Sequence, residues 1–282
     1  MTPGDAEVGD GDRRLLDELA RIAGRRIERL REYQREHHLA DTLQRSLLPQ
    51  ALPAVRGVEL AARYRPAQEA AAVGGDWYDA LVLPDGRLLV MVGDVIGHDL
   101  NAAVAMGQLR HLLRAHALDA PDPAHLCETV NRLLPALGTG EMATVAVAHL
   151  DLDRGRGRVT ITSAGHPPPV VVGAGGTASL LAVPACPPLG ALDATPYESV
   201  QAILEPGATL VLYTDGLVER RGEPIDASLR RFATRCVALG DPSLDAALDG
   251  LLDDVLAPGT AADDVAVLAV RRSTTGGAPP GA

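Results

Sequence analysis

The sequence predicts an α+β fold in which antiparallel hairpins form layers covered by paired helices. Three observations lead there. Short apolar runs bounded by Gly, Pro and Asp follow one another as hairpins, and the helical stretches arrive in consecutive pairs. Strand and helix never alternate long enough for a doubly wound sheet, and no internal repeat occurs.

Taken in order, residues 1–12 are rich in Gly and Asp and read as a disordered N-terminus. From Arg13 to Leu48 the pattern is that of one long charged helix. Leu16, Leu19, Ala23, Ile27, Leu30, Tyr33, His37, Ala40 and Leu43 recur at spacings of three and four and form a single apolar stripe. A stripe this narrow needs a partner, either a second copy in a coiled coil or the main domain. Pro49 and Pro53 end the helix. Val58–Tyr64 and Arg87–Val95 read as strands, the second entered through the Pro84-Asp85-Gly86 turn. Asn101–Ala117 reads as a helix. Pro123–Leu134 reads as its partner, with Asp122 as N-cap and Pro123 at the first helical position. Met142–Leu152 and Arg158–Ser163 form strands around a Gly155–Gly157 hairpin, and Ser199–Leu204 is expected to pair with Thr209–Thr214 around Pro206-Gly207. Helices at Ala227–Leu239 and Pro242–Leu256 precede a last strand, Val265–Val270, and a Gly/Pro-rich tail, 273–282, that reads as disordered.

Composition excludes several chemistries. All 26 basic residues of this 282-residue chain are Arg. Without Lys there is no P-loop nucleotide site, no pyridoxal Schiff base and no protein-kinase strand lysine. A net charge of −11 with 2% aromatics argues against nucleic acid, which calls for cationic patches and stacking platforms. Cys127, Cys186 and Cys236 are odd in number and widely spaced, so neither a disulfide framework nor a zinc site is suggested. The acidic, polar start is wrong for a signal peptide, and no run approaches the ~18 apolar residues of a membrane span; the expectation is a cytoplasmic protein.

Four aspartates stand on short strand-and-turn motifs: Asp76 in Val-Gly-Gly-Asp-Trp, Asp94 in Val-Gly-Asp-Val-Ile-Gly-His, Asp215 in Tyr-Thr-Asp-Gly and Asp263 in Ala-Asp-Asp-Val-Ala-Val. Taken singly each fits an ordinary turn. Together at the rim of one sheet system they read as oxygen ligands of a hard divalent cation, magnesium or manganese. Two such ions can make a water nucleophilic towards phosphorus, which points to a phosphohydrolase. Gly74-Gly75 suggests a close backbone approach to a ligand or a tight turn. His166, in the stiff Gly-His-Pro-Pro-Pro loop, reads as structural, and Gly173–Ala178 lacks the helix that a dinucleotide fingerprint requires.

The motifs Leu-Gln-Arg-Ser-Leu-Leu-Pro, Tyr-Arg-Pro-Ala, Val-Gly-Gly-Asp-Trp-Tyr-Asp, Gly-Asp-Val-Ile-Gly-His, Ser-Ala-Gly-His-Pro-Pro-Pro, Tyr-Thr-Asp-Gly-Leu-Val-Glu and Asp-Asp-Val-Ala-Val occur in register over about residues 40–270. In this order they resemble the PPM superfamily of metal-dependent serine/threonine phosphatases, in its SpoIIE-like and RsbU-like bacterial branch. The resemblance implies a β-sandwich flanked by helix pairs in α-β-β-α layers, preceded by an N-terminal helix. It implies two Mn²⁺ or Mg²⁺ ions, with Asp76, Asp94 and the Val95 carbonyl as ligands and Asp215 and Asp263 completing one shell; Asp264 is second choice. Water would then attack phosphoserine or phosphothreonine in line, with no phosphoenzyme. The general acid and the phosphate clamp stay open, Arg63 and Arg65 being candidates for the clamp.

The expected organisation is a 13–48 regulatory, coiled-coil-like helix and a 55–272 phosphatase domain between disordered ends. The expected substrate is a phosphorylated STAS-type anti-anti-sigma factor in a sigma-factor regulatory pathway. An activator protein, or self-association through the N-terminal helix, would supply control; no nucleic acid or membrane partner is expected. Two alternatives stay open: a non-catalytic module that binds a phosphoprotein or anti-sigma partner on the same fold, and a small-molecule phosphohydrolase.

Overall fold

A computed structural model describes residues 18–19, 21–29, 31, 42, 46–66, 74–97, 100–138, 140–152, 157–220, 222–240, 243–256 and 263–274. The expected disordered N-terminus lies outside them, as does the tail beyond Thr274. Ten strands form two antiparallel sheets among the described residues. One sheet has the order β1 (Val58–Arg65), β10 (Val265–Arg272), β9 (Thr209–Tyr213), β6 (Val170–Val172), β7 (Ala178–Leu180). The other has the order β2 (Trp77–Val82), β3 (Leu88–Val95), β4 (Ala143–Asp151), β5 (Arg158–Ala164), β8 (Val200–Ile203).

The sheets face each other, and each carries a helix pair on its outer face. Alternation along the strands produces this directly, because successive side chains point to opposite faces. In β3, Leu88, Val90 and Val92 enter the core between the sheets, while Leu89 and Met91 enter a second core under α1 (Leu100–Ala117) and α2 (Pro123–Leu137). In β10, Ala266, Leu268 and Val270 face the inter-sheet core. Val265, Val267 and Ala269 face a third core under α3 (Ile225–Arg235) and α4 (Leu244–Val255). A strand covered on both faces reads as an unbroken apolar run, which is why these segments are so plainly hydrophobic in sequence.

Polar anchors fix the first helix pair. Asp79 of β2 is fully buried and accepts hydrogen bonds from Arg110 and Arg114, one helical turn apart on α1, each at 2.7 Å. Such an ion pair is held in place less by its net worth than by the penalty for stranding a buried charge. The Asp122 side chain caps α2 by accepting the His125 N–H at 3.0 Å, as the sequence predicts. Gly138 closes its other end in the left-handed conformation.

Two expectations are corrected. Ser199–Leu204 and Thr209–Thr214 do not pair; β8 joins β5 in one sheet and β9 lies between β10 and β6 in the other. The Pro206-Gly207 turn is instead a crossing between sheets. Leu204 N–H still bonds the Gly157 carbonyl, whereas Gly207 N–H bonds Arg272 of the opposite sheet. Burial pattern separates the two strands: β8 alternates like an edge strand, and β9 is buried at all five positions. The other correction adds three unforeseen strands, β2, β6 and β7. The Gly-rich run 173–177 is the hairpin loop joining β6 to β7, closed by Gly173 N–H to the Thr177 carbonyl at 2.8 Å.

Within the expected 13–48 helix, the described residues 18–19, 21–29 and 31 are helical and exposed, Leu19, Ile22 and Ile27 included. Further along, Leu48 is buried against α1 and α2, and Leu47 packs over Gly107, whose added Cβ would lie 2.9 Å from Leu47 Cδ2. No helix among the described residues is long and apolar enough to cross a membrane.

Candidate metal centre

At one end of the sandwich the inter-sheet core gives way to carboxylates. Asp94 follows Val90 and Val92 on the inner face of β3, opposite Thr144 of β4 in the strand register. Tyr64, on the inner face of β1, caps the same core from the other sheet. Asp76 sits just before β2 and is buried. Asp215 starts a single 3-10 turn directly after β9, where its carbonyl accepts the N–H groups of Val218 and Glu219, each at 2.7 Å. Asp263 and Asp264 lead into β10. Four sequence-distant segments, two from each sheet, thus deliver their aspartates to one place.

Glycines make that convergence possible. A Cβ on Gly75 would lie 2.2 Å from the Val95 carbonyl oxygen and 2.9 Å from Asp94 Oδ1. On Gly74 it would overlap Asp264 Oδ2 and lie 2.9 Å from the Tyr64 hydroxyl, and on Gly216 it would lie 2.2 Å from the Asp264 carbonyl oxygen. The Gly74-Gly75 pair therefore serves close approach, not a turn alone. Gly93 has a different purpose: Trp77, its cross-strand partner, lays its ring where a Cβ would be, at 2.3 Å.

The electrostatics are those of an anionic cluster. Burial, and then the Asp94 charge, push the Asp76 carboxyl well above the usual carboxylate range, against a hydrogen bond from Thr214 that lowers it. Asp94 is pushed up to about 7, first by burial and then by Asp215, Asp263 and Asp264, although its hydrogen bond with Asp76 pulls the other way. Asp215 is raised by burial and by Asp263 and Glu219. Thr214, itself fully buried, also binds the Ala266 N–H and so ties the support of Asp76 to β10. The Tyr64 hydroxyl is buried beside the Asp264 carboxylate, and its phenol is raised by burial and by the nearby aspartates.

The donor set, carboxylates and one backbone carbonyl in a Gly-walled recess, fits a hard divalent cation. Among the described residues no group of three or more His, Cys, Asp or Glu side chains is arranged to hold a metal ion. Within the Asp263-Asp264 pair the two side chains differ in setting. Asp264 is buried beneath Gly74 and Tyr64, whereas Asp263 is exposed and is the charge that most raises Asp215.

The sequence reading missed Tyr64 and Thr214 as supports, although the inward parity of Tyr64 with Leu60 and Ala62 was available as a signal. Arg63 cannot serve as a phosphate clamp as it stands. Its guanidinium is committed to Asp245 and Asp249 of α4, on the outer face of the sheet, at 2.9 and 2.7 Å. Arg65 lies near the same Asp249 at 3.8 Å. His98, which ends the Gly-Asp-Val-Ile-Gly-His motif, and Asp99, which follows it, lie outside the described residues.

Two antiparallel sheets between helix pairs, with carboxylates gathered at one end, define a PP2C-type phosphatase fold. The RsbU and RsbW domains of Rv1364c from Mycobacterium tuberculosis superpose with a TM-score of 0.72 at 35% identity, covering 81% of this chain and 63% of that one. The PP2C domain of SpoIIE from Bacillus subtilis superposes with a TM-score of 0.63 at 20% identity, over 78% of this chain and 65% of that one. Residues 84–273 match the Stage II sporulation protein E (SpoIIE) family, and the chain belongs to that family. Phosphoserine phosphatase RsbP of Bacillus subtilis is 26% identical over 189 residues, which are 66% of this chain and 45% of that protein. The chain matches from about a third to just over half the length of its curated relatives.

Proposed function

We propose that the chain is a metal-dependent protein serine/threonine phosphatase acting on a phosphorylated STAS-type regulatory protein in a sigma-factor pathway. The observation that carries this reading is the meeting of Asp76, Asp94, Asp215 and the Asp263-Asp264 pair at one end of the sandwich, close enough to raise one another's carboxyl groups. Asp76, Asp94, the Val95 carbonyl, Asp215 and Asp263 would hold Mn²⁺ or Mg²⁺, two ions by resemblance. Bound there, such ions neutralise phosphate oxygens and activate water for in-line attack.

The chain's own residues prepare that site. Thr214, just after β9, orients Asp76, Tyr64 and Gly74 confine Asp264, and Gly75 lets the Val95 carbonyl come close. Asp264 then acts as a brace that holds Asp263 outward; its own N–H bonds Asp263 Oδ1 at 2.8 Å. The 13–48 helix is assigned a regulatory role, by dimerisation or by an activator protein. Its exposed Leu19, Ile22 and Ile27 support a partner on that face, and Leu47 and Leu48 link its end to α1.

Mn²⁺-dependent hydrolysis of p-nitrophenyl phosphate and of a phosphorylated STAS protein tests the proposal, comparing wild type with Asp94→Asn and Asp215→Asn. Each substitution should lower turnover at least about 10²-fold, since each removes charge that the transition state needs. Turnover that survives both substitutions would overturn the carboxylate assignment. A folded wild type that binds the phosphoprotein without turnover would favour the non-catalytic binding module.

A further inference from the structure

Beside the carboxylates runs a trough of about 570 Å³ that the metal chemistry does not use. Asp215 and Thr144 line it, and Thr144 stands opposite Asp94 in the strand register, so the trough borders the candidate centre. Its apolar lining comes from Pro167 and Pro168 of the Gly-His-Pro-Pro-Pro loop and from Ile225 and Leu229 at the start of α3. Its volume lies within the roughly 300–1,000 Å³ usual for ligand pockets.

The proline wall is unusually rigid. Ser163 Oγ donates to the His166 carbonyl at 2.7 Å and accepts the His166 N–H at 3.1 Å. His166 Nδ1 meets Thr144 Oγ1 at 2.8 Å, Tyr213 Oη donates to the Pro168 carbonyl at 2.9 Å, and Gly165 N–H bonds the Cys186 carbonyl at 2.8 Å. The polar groups of this loop are turned inward by these bonds, and the pyrrolidine faces are left for the trough. A wall ordered in advance loses little entropy when something binds it. In the same lining, Ile225 is 48% exposed, a large apolar side chain on the first turn of a helix. The rim is acidic: Glu219 and Glu223 line it beside Asp215, with Arg220 bonded to the Val255 carbonyl at 3.0 Å and Glu223 paired to Arg231.

We propose that this trough receives the stretch of substrate polypeptide next to the phosphorylated serine or threonine, and that it selects an apolar side chain there against an acidic one. The inference rests on the phosphatase reading and deepens it. The phosphate end of such a substrate faces the carboxylate centre, and the neighbouring side chain falls between Pro167–Pro168 and Ile225. An acidic residue in that place would meet Glu219 and the apolar Pro167, Pro168 and Ile225 side chains and is disfavoured. The Gly-His-Pro-Pro-Pro motif thereby gains a role as a specificity wall.

The test uses the full chain with Mn²⁺ and synthetic phosphoserine peptides identical except for Leu or Glu placed in turn at each position flanking the phosphoserine. Wild type should prefer Leu over Glu about tenfold in kcat/KM at one or more positions, the discrimination usual for a single apolar contact. Ile225→Glu should erase that preference, and its loss on the Leu peptide should exceed its loss on p-nitrophenyl phosphate at least fivefold. Ile225→Arg should turn the preference towards Glu. Equal rates across the wild-type panel, or equal losses on peptide and p-nitrophenyl phosphate, would overturn the proposal. If the wild type turned over none of these substrates, the phosphatase reading itself would fail. Fluorescence anisotropy of the same labelled peptides would then decide the trough alone: a Leu-over-Glu preference lost in Ile225→Glu supports it, and indifference refutes it.

Discussion

Replacing Asp94 by Asn should stabilise the metal-free protein while removing its response to divalent cations. The Asp94 carboxyl stands at about 7 in the folded chain against 3.8 ordinarily, raised first by burial and then by Asp215, Asp263 and Asp264. A gap of about three pH units, at ~1.4 kcal/mol each, places on the order of 4 kcal/mol of strain on the ionised carboxylate. Asp76 shares a hydrogen bond with it and the two titrate as a pair, so about 2 kcal/mol is the gain expected for Asn at about pH 8. In a domain of this size that is roughly 4–8 °C in Tm. The folded value is the higher one. The stabilising contribution of the protonated form is therefore complete below pH 3.8 and is lost as pH rises through about 7. Thermal unfolding in EDTA and in millimolar Mn²⁺, from mildly acidic to mildly alkaline pH, measures both effects. Wild type in EDTA should weaken as pH rises through this window and recover with Mn²⁺. The Asn variant should show a shallower pH slope and little recovery. An Asn variant less stable than wild type in alkaline EDTA, or one that keeps the full Mn²⁺ response, would refute the reasoning.

Four other outcomes are expected. Gly75→Ala, which drives a Cβ to 2.2 Å from the Val95 carbonyl, should destabilise by about 2–4 kcal/mol in urea titrations. Gly250→Ala, in the interior of α4 with nothing within 4 Å, should stabilise by about 0.5–1 kcal/mol. Arg110→Ala should lower stability by about 3 kcal/mol because it leaves Asp79 under-compensated in the interior, whereas Arg114→Ala, at a side chain 39% exposed, should cost about 1 kcal/mol. Similar losses for the two would deny that burial sets the difference. His149 and His166 are held neutral by burial, at about 4 and about 3 against an ordinary 6.5. The unfolded chain takes up those protons first, so stability is full above pH 6.5 and falls as pH drops towards 4 and 3, by on the order of 3 kcal/mol for His149 and about 5 kcal/mol for His166. Acid titrations of His149→Gln and His166→Gln should be shallower than wild type, and unchanged curves would reject this source of acid lability.

The layers and the carboxylates were readable because their causes are local. A strand buried on both faces must be apolar throughout, so β3, β4, β9 and β10 announce themselves, and Asp94 and Asp215 stand where such runs end in Gly or a turn. What escaped the sequence depends on partners far along the chain. The separate settings of Asp263 and Asp264 come from Tyr64 and Gly74, some 190 residues earlier. The partner of β8 depends on which sheet has an open edge, and the short runs of β6 and β7 carry too few side chains to reveal a period. Arg63 looked available because the carboxylates that engage it, Asp245 and Asp249, belong to a helix at the other end of the sequence.

The split origin of the aspartates has a mechanical side. Asp76 and Asp94 hang from one sheet, Asp215, Asp263 and Asp264 from the other, and between the layers at this end lie charges that push apart. A divalent ion gripped by both groups would be a clasp, fastening the two sheets against shear where their apolar filling runs out. Part of the affinity for the ion would then be stored as stiffness between the sheets. Slower amide exchange at the facing ends of β3 and β10 when Mn²⁺ is added would register the clasp closing.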